Sequence, residues 1–305
     1  MFSSIAPFSG PRISTGDPLA VAAAVQAVYQ AMFPAGDGNF VPRAFHWAAD
    51  CFAGRYDDYQ AVDAPYHNFE HTLQGTLCLA RMLRGRDAAG ARPVLPQRLV
   101  ELALLAILLH DTGYLKKRGD TEGTGAKYTL THVTRSAEFA ARLLAENGFA
   151  ANEIVSVQNM IRCTGVDASP AAIPFQSEVE KIAGQMLGAA DLLGQMAADN
   201  YLEKLPALHA EFAEAAQFSS SSSSFIARFA SVEDLLRRTP DFWEKYVKPR
   251  LEREFGGVHR FLNDPWPDGP NAYLDQIERH LRRLREILAT EEGTKRFLEK
   301  HRAGG

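Results

Sequence analysis

The chain has 305 residues, 46% of them apolar and 23% charged, with a formal net charge of −4. That length is enough for one large or two ordinary domains, and the composition fits a soluble globular protein. The acidic balance argues against a general nucleic-acid binder, which is usually basic.

The opening stretch, M-F-S-S-I-A-P-F-S-G-P-R, lacks the basic segment and apolar core of a secretory leader, so a cytoplasmic location is expected. Asp17-Pro18 supplies a cap and a first-turn proline and opens a helix to about Met32. A second helix is expected over roughly 42–60, and a third from near Tyr66 to just before Gly85. Pro96 opens a fourth, whose apolar run over 102–109 reads as a buried core helix because it is too short to span a bilayer. It ends in His110-Asp111, and a polar loop follows over 116–127. Lys116, Lys117 and Arg118 in that loop read as a solvated basic face that also attracts anions.

Thr131 can cap the next helix, which Asn147-Gly148 stops; Asn152 starts another, to Cys163. Ser177-x-x-Glu180 has capping-box form and introduces a long helix through Asp191 to about Leu205. Ser231-x-x-Asp234 repeats that form. Between them the run Ser219–Ser224, flanked by phenylalanines, marks a connecting loop to which no chemistry is assigned. Asn271 caps a charged amphipathic helix to about Ala289, with Arg282, Arg283 and Arg285 on its wet face, and the last dozen residues are expected to fray. No strand alternation is present, so the expected fold is all-α: one domain over 1–305, with a core at about 60–255 and a helical C-terminal extension at about 256–305. Cys51, Cys78 and Cys163 are widely spaced in apolar or helical surroundings, which predicts buried free thiols.

Three places carry unexpected polarity. His67 and His71, four residues apart at the head of the third helix, would share one face. Alone, such a pair is weak, since core and surface histidines occur at that spacing by chance. The apolar fourth helix ends in His110-Asp111, where burial of a carboxylate is costly and the helix carbonyls repel an anion. A bound cation would remove that conflict; a simple His-Asp hydrogen bond is the structural alternative. Asp191 stands alone in L-G-A-A-D-L-L-G-Q-M, on the side of the helix that carries Leu187, Ala190, Leu193 and Gly194, whereas Asp199 reads as solvated. Mixed histidine and aspartate donors suit one or two divalent ions such as Zn, Fe, Mn or Mg.

His71, His110-Asp111 and Asp191 together resemble the H…HD…D pattern of the HD superfamily of metal-dependent phosphohydrolases. Tyr66-His67-Asn68-Phe69-Glu70-His71 further resembles the signature of class I cyclic-nucleotide phosphodiesterases, and the likeness spans roughly residues 60–255. The resemblance implies a helical bundle of the HD-domain type, with His67 as general acid. It also implies His71, His110, Asp111 and Asp191 as metal ligands and Asp111 as a bridge that helps activate water. The substrate it implies is a small phosphorylated molecule of nucleotide type. Phe242, with Pro249 seven residues on, resembles that family's base-clamping segment. Where that family carries a purine-selecting glutamine this chain has Thr239, which otherwise reads as the cap before Pro240.

Tyr114 stands where that family has a histidine. H-D-T-G-Y followed by H-V-T-R-S-A-E-F-A instead resembles bacterial HD proteins, which makes His132 a candidate for a second metal or for substrate, against a helix-start surface histidine. The segment I-R-C-T-G offers Arg162 as a phosphate contact or a solvated charge, and no further histidine. Two rival expectations stand beside the hydrolase: a di-iron oxygenase of the HD type, and a non-catalytic regulatory module stapled by its metal.

Overall fold

The computed structural model describes residues 13–165, 168–219 and 229–301. The fold is all-α, and the described residues form eleven α-helices in chain order: α1 Pro18–Met32, α2 Phe40–Phe52, α3 Phe69–Ala88, α4 Gln97–Leu109, α5 His132–Glu146, α6 Ala151–Ile161, α7 Glu178–Met196, α8 Tyr201–Phe218, α9 Val232–Phe242, α10 Ala272–Leu288 and α11 Glu291–Lys300. Among the described residues the only β-type pairings are isolated bridges, such as Ala53 with Ala61 and Tyr59 with Lys117. No helix among them is long and apolar enough to cross a membrane.

The caps read from the sequence set most of the boundaries. The Asp17 carboxylate accepts from Leu19 N and Ala20 N, Ser177 Oγ from Glu180 N, Ser231 Oγ from Asp234 N and Asn271 Oδ1 from Leu274 N. Each satisfies one or two of the orphan donors of a first turn and is worth about 1 kcal/mol. Arg282, Arg283 and Arg285 lie on the exposed side of α10. Cys51, Cys78 and Cys163 are buried free thiols.

Five boundaries differ from expectation. Helix α2 stops at Phe52 rather than near residue 60, because the chain turns at Gly54 and pairs back through the Ala53–Ala61 bridge. Helix α3 starts at Phe69, since Asn68 caps it by accepting from His71 N at 3.2 Å, and it runs through Gly85 to Ala88. One helix interior can absorb the roughly 1 kcal/mol that glycine costs when its neighbours pack well. Helix α6 ends at Ile161, two residues before Cys163. The long helix expected from Ser177 to about Leu205 is two helices, and the Met196 carbonyl at the end of α7 is 3.0 Å from His280 Nδ1. Finally, residues 291–300 form α11 instead of fraying: Thr290 caps it at Gly293 N, and Phe297 and Thr294 are buried. Beyond Ser219, the serine run lies outside the described residues, as do the opening residues 1–12 and the last four.

The core is organised around α3, which packs on α1, α4 and most extensively on α7; α4 and α7 also touch each other. Every residue of α4 from Val100 to Leu109 is buried. Helices α3, α4 and α7 therefore form a mutually contacting trio, and each carries part of the polar set singled out above. The approach of α3 to α7 depends on Gly194, where a Cβ would sit 2.7 Å from the Gln74 carbonyl group.

Candidate metal centre

The three helices bring His71, His110 and Asp191 together. One ligand-type atom from each lies within 4.8 Å of the other two. His71, on the first turn of α3, has its Nε2 3.2 Å from Asp111 Oδ2 and 3.3 Å from Asp191 Oδ1. His110, capping the end of α4, has its Nε2 3.2 Å from Asp111 Oδ2 and 3.4 Å from Asp191 Oδ1. Asp111 is 1% exposed, and the Asp191 side chain 13%, so neither carboxylate is hydrated as a surface acid would be.

Proximity here is not hydrogen bonding. His110 Nε2 and Asp111 Oδ2 are buried without a hydrogen-bond partner, as is His71 Nδ1. The His110 Nδ1 lies 2.7 Å from the Ile107 carbonyl oxygen, which can only accept, so the proton sits on Nδ1 and the Nε2 lone pair points toward the two carboxylates. Lone pairs converging in a dry interior are unfavourable unless a cation or a proton sits among them. The donor set fits a divalent ion of the borderline or hard class. Without an ion, protons take that place. Burial alone would push the His71 imidazole down, but attraction to the Asp111 and Asp191 carboxylates outweighs it and holds it at about 9. Burial likewise opposes the charged forms of His110 and of the two aspartates. The mutual attraction prevails, raising His110 well above the usual imidazole range and keeping Asp111 and Asp191 below the usual carboxylate range.

His67 does not share a helix face with His71, as the four-residue spacing suggested. It lies ahead of the Asn68 cap, in the extended entry to α3, yet its ring comes within 5.2 Å of the His71 ring between centroids. Its position is set by Glu211 on α8, whose buried carboxylate accepts from Tyr66 N and His67 N and lies 2.5 Å from His67 Nδ1. That acceptor fixes the proton on Nδ1 and leaves Nε2 as the exchanging atom. Tyr114 packs beside both imidazoles, its ring centroid 4.5 Å from that of His67 and 4.8 Å from that of His132, and the two imidazole centroids are 6.1 Å apart.

His132 opens α5, its Nδ1 2.6 Å from the Thr129 carbonyl oxygen and its Nε2 3.9 Å from Asp111 Oδ1. Burial is the main cause that holds its imidazole below the ordinary range. The contact requires Gly113, where a Cβ would lie 2.0 Å from the His132 carbonyl oxygen.

A cavity of about 760 Å³ opens beside the cluster; His67, His71, Asp111, Asp191 and His132 line it, and so do Arg162, Thr239 and Phe242. Phe242 stacks on Tyr246 at 4.9 Å. Arg162 is exposed and donates to Asn159 Oδ1 at 3.0 Å. Thr239 is not a cap: it lies inside α9, buried, and its hydroxyl donates to the Leu235 carbonyl at 2.9 Å. The 116–118 loop is not a free basic face either, since Lys116 is buried on Asp63 at 2.8 Å and Lys117 pairs with Asp57 at 3.0 Å. Asp199 is exposed and outside the cluster. Glu211 went unread in the sequence, although it sits between Leu208 and Ala215 on one face of α8, the same apolar setting that singled out Asp191.

The family model described as Npun_R2479-like matches residues 42–259. The chain belongs to this family. The matched segment starts within α2 and ends at His259, so the Npun_R2479-like region contains all of the cluster, His67, His132, Glu211 and the cavity-lining part of α9. No curated protein matches the chain.

Proposed function

We propose that the protein is a metal-dependent phosphohydrolase that cleaves a phosphodiester. The observation that carries this reading is the convergence of His71, His110, Asp111 and Asp191, with partnerless buried atoms, at the wall of a cavity that His67 also lines. His71, His110, Asp111 and Asp191 would hold one divalent ion. Bound there, it would polarise a phosphoryl oxygen and make coordinated water acidic enough to attack near neutral pH.

The chain's own groups do the rest. His67 gives its Nε2 proton to the departing alkoxide, and Glu211 keeps the ring oriented. The Tyr114 ring packs against both His67 and His132 and limits the movement of each. His132 and Asp111 Oδ1, 3.9 Å apart, would serve a second ion.

Hydrolysis of bis-p-nitrophenyl phosphate by the purified protein with Mn or Mg tests the reading. Turnover is expected in the wild type, and loss of it in His110→Ala and Asp111→Ala; wild-type rates in both variants would remove the assignment. Oxygen consumption by iron-loaded protein without ester hydrolysis would favour the oxygenase instead.

A further inference from the structure

The cavity is chemically lopsided. Its polar end is the His/Asp cluster; its lining also includes Leu192, Leu205, Leu208, Phe212, Phe229 and Phe242, drawn from α7, α8, α9 and the residue that precedes α9 by three. Several of its other polar side chains are engaged within the protein, while the Tyr114 hydroxyl is buried without a partner. The Thr239 hydroxyl donates to Leu235 O, and that of Thr164 to Ile161 O at 2.8 Å. The Gln195 carboxamide accepts from Tyr66 Oη at 2.7 Å and donates to Asp191 O at 3.2 Å. Arg238 is held by Asp234 and Lys245 by Asp241, each at 2.7 Å, and Arg250 donates to the Gly165 and Ala168 carbonyls.

A nucleobase placed against the leucine and phenylalanine walls would leave its edge donors and acceptors unpaired there, at a net cost. A hydrocarbon would lose nothing and gain the burial of its own surface. At about 760 Å³ the space is also well within the range of small-molecule sites. Resting on the phosphohydrolase reading, we propose that the ester processed here carries a hydrocarbon alcohol, an alkyl or isoprenoid chain, seated in this apolar chamber with its phosphoryl group at the His/Asp cluster. This replaces the nucleotide implied by the sequence resemblance.

Non-hydrolysable n-alkylphosphonates test the chamber without turnover. Titrated calorimetrically into the full-length, Mn-loaded protein, butyl-, hexyl- and octylphosphonate should bind one per chain. Affinity should rise about fourfold for each added methylene, the equivalent of about 0.8 kcal/mol per buried group, or about 250-fold from butyl to octyl. Adenosine 5′-monophosphate should bind no tighter than butylphosphonate. Equal affinity across the series, or a nucleotide that outbinds octylphosphonate, would overturn the proposal. Hydrolysis of bis-p-nitrophenyl phosphate in the same preparation separates the two readings. Chain-length dependence without hydrolysis upholds the chamber and removes the hydrolase, and hydrolysis with flat chain-length dependence removes the hydrocarbon ligand alone.

Discussion

At the scale of single residues, the account turns on atoms that are close but not bonded to each other. Asp191 carries a charge into an apolar helix face, and His110 turns its Nε2 toward that charge. Replacing Asp191 with Ala should abolish ion binding and hydrolysis together. Glu211→Gln keeps the side chain's size but loses its charge, and the one amide oxygen can accept either from His67 Nδ1 or from the Tyr66 and His67 backbone N–H groups. Its kcat should fall about 10–100-fold, the usual cost of losing a partner that orients a site group, while the metal content stays that of wild type. A wild-type kcat in Glu211→Gln would detach His67 from the chemistry. The cysteines make an independent check: burial pushes the Cys51, Cys78 and Cys163 thiols up to about 12, so almost no thiolate exists at pH 8. Ellman's reagent should therefore label none of the three in the native protein and all three in guanidinium.

Elements explain why some of this was legible in the sequence and some was not. The core helix α4 announced its own anomaly, because an apolar run that ends in His110-Asp111 has no packing reason to do so. Caps such as Ser177 and Asn271 were readable for the same local reason: the hydrogen bond spans only three residues. The break between α7 and α8 was not readable, since part of what closes α7 is a histidine 84 positions further along the chain. Glu211 was missed because its partners, Tyr66 and His67, are likewise distant and emerge only when α8 docks on the entry to α3. The His67–His71 spacing misled in a different way: Asn68 caps the helix between them, so they meet through the bend of the chain and not along a helix face.

Close packing between elements yields its own prediction. Gly194→Ala forces a methyl group toward the backbone of α3, and Gly113→Ala forces one into the His132 carbonyl. Each should destabilise the fold by about 1–3 kcal/mol, the cost of overpacking, and lower the denaturant midpoint with little change in slope. Unchanged midpoints would mean that the helices do not approach as described.

For the molecule as a whole, the cluster couples ion binding to stability and to pH. An ion that binds only the folded chain raises stability by about 2.7 kcal/mol at a hundred times its dissociation constant, so the melting temperature should climb with added Mn and fall with a chelator. In the ion-free protein His71 is raised to about 9, above the unfolded value of about 6.5. Its contribution to apo stability is thus fully present below about pH 6.5 and is lost as pH rises through about 9. Ion binding has the opposite sense, because the ion displaces that proton: affinity should strengthen with pH up to about 9, by at most about tenfold per pH unit for each proton released. An affinity independent of pH between 6 and 8 would place the ion elsewhere.

The most direct measurement of the central claim is calorimetric titration of Mn into chelator-treated protein, run in parallel on wild type and His110→Ala. The account predicts saturable binding of one or two ions per wild-type chain and none at this site in the variant, with both proteins giving the same helical circular dichroism. Absence of binding to the wild type, or equal binding to a folded His110→Ala, would contradict it.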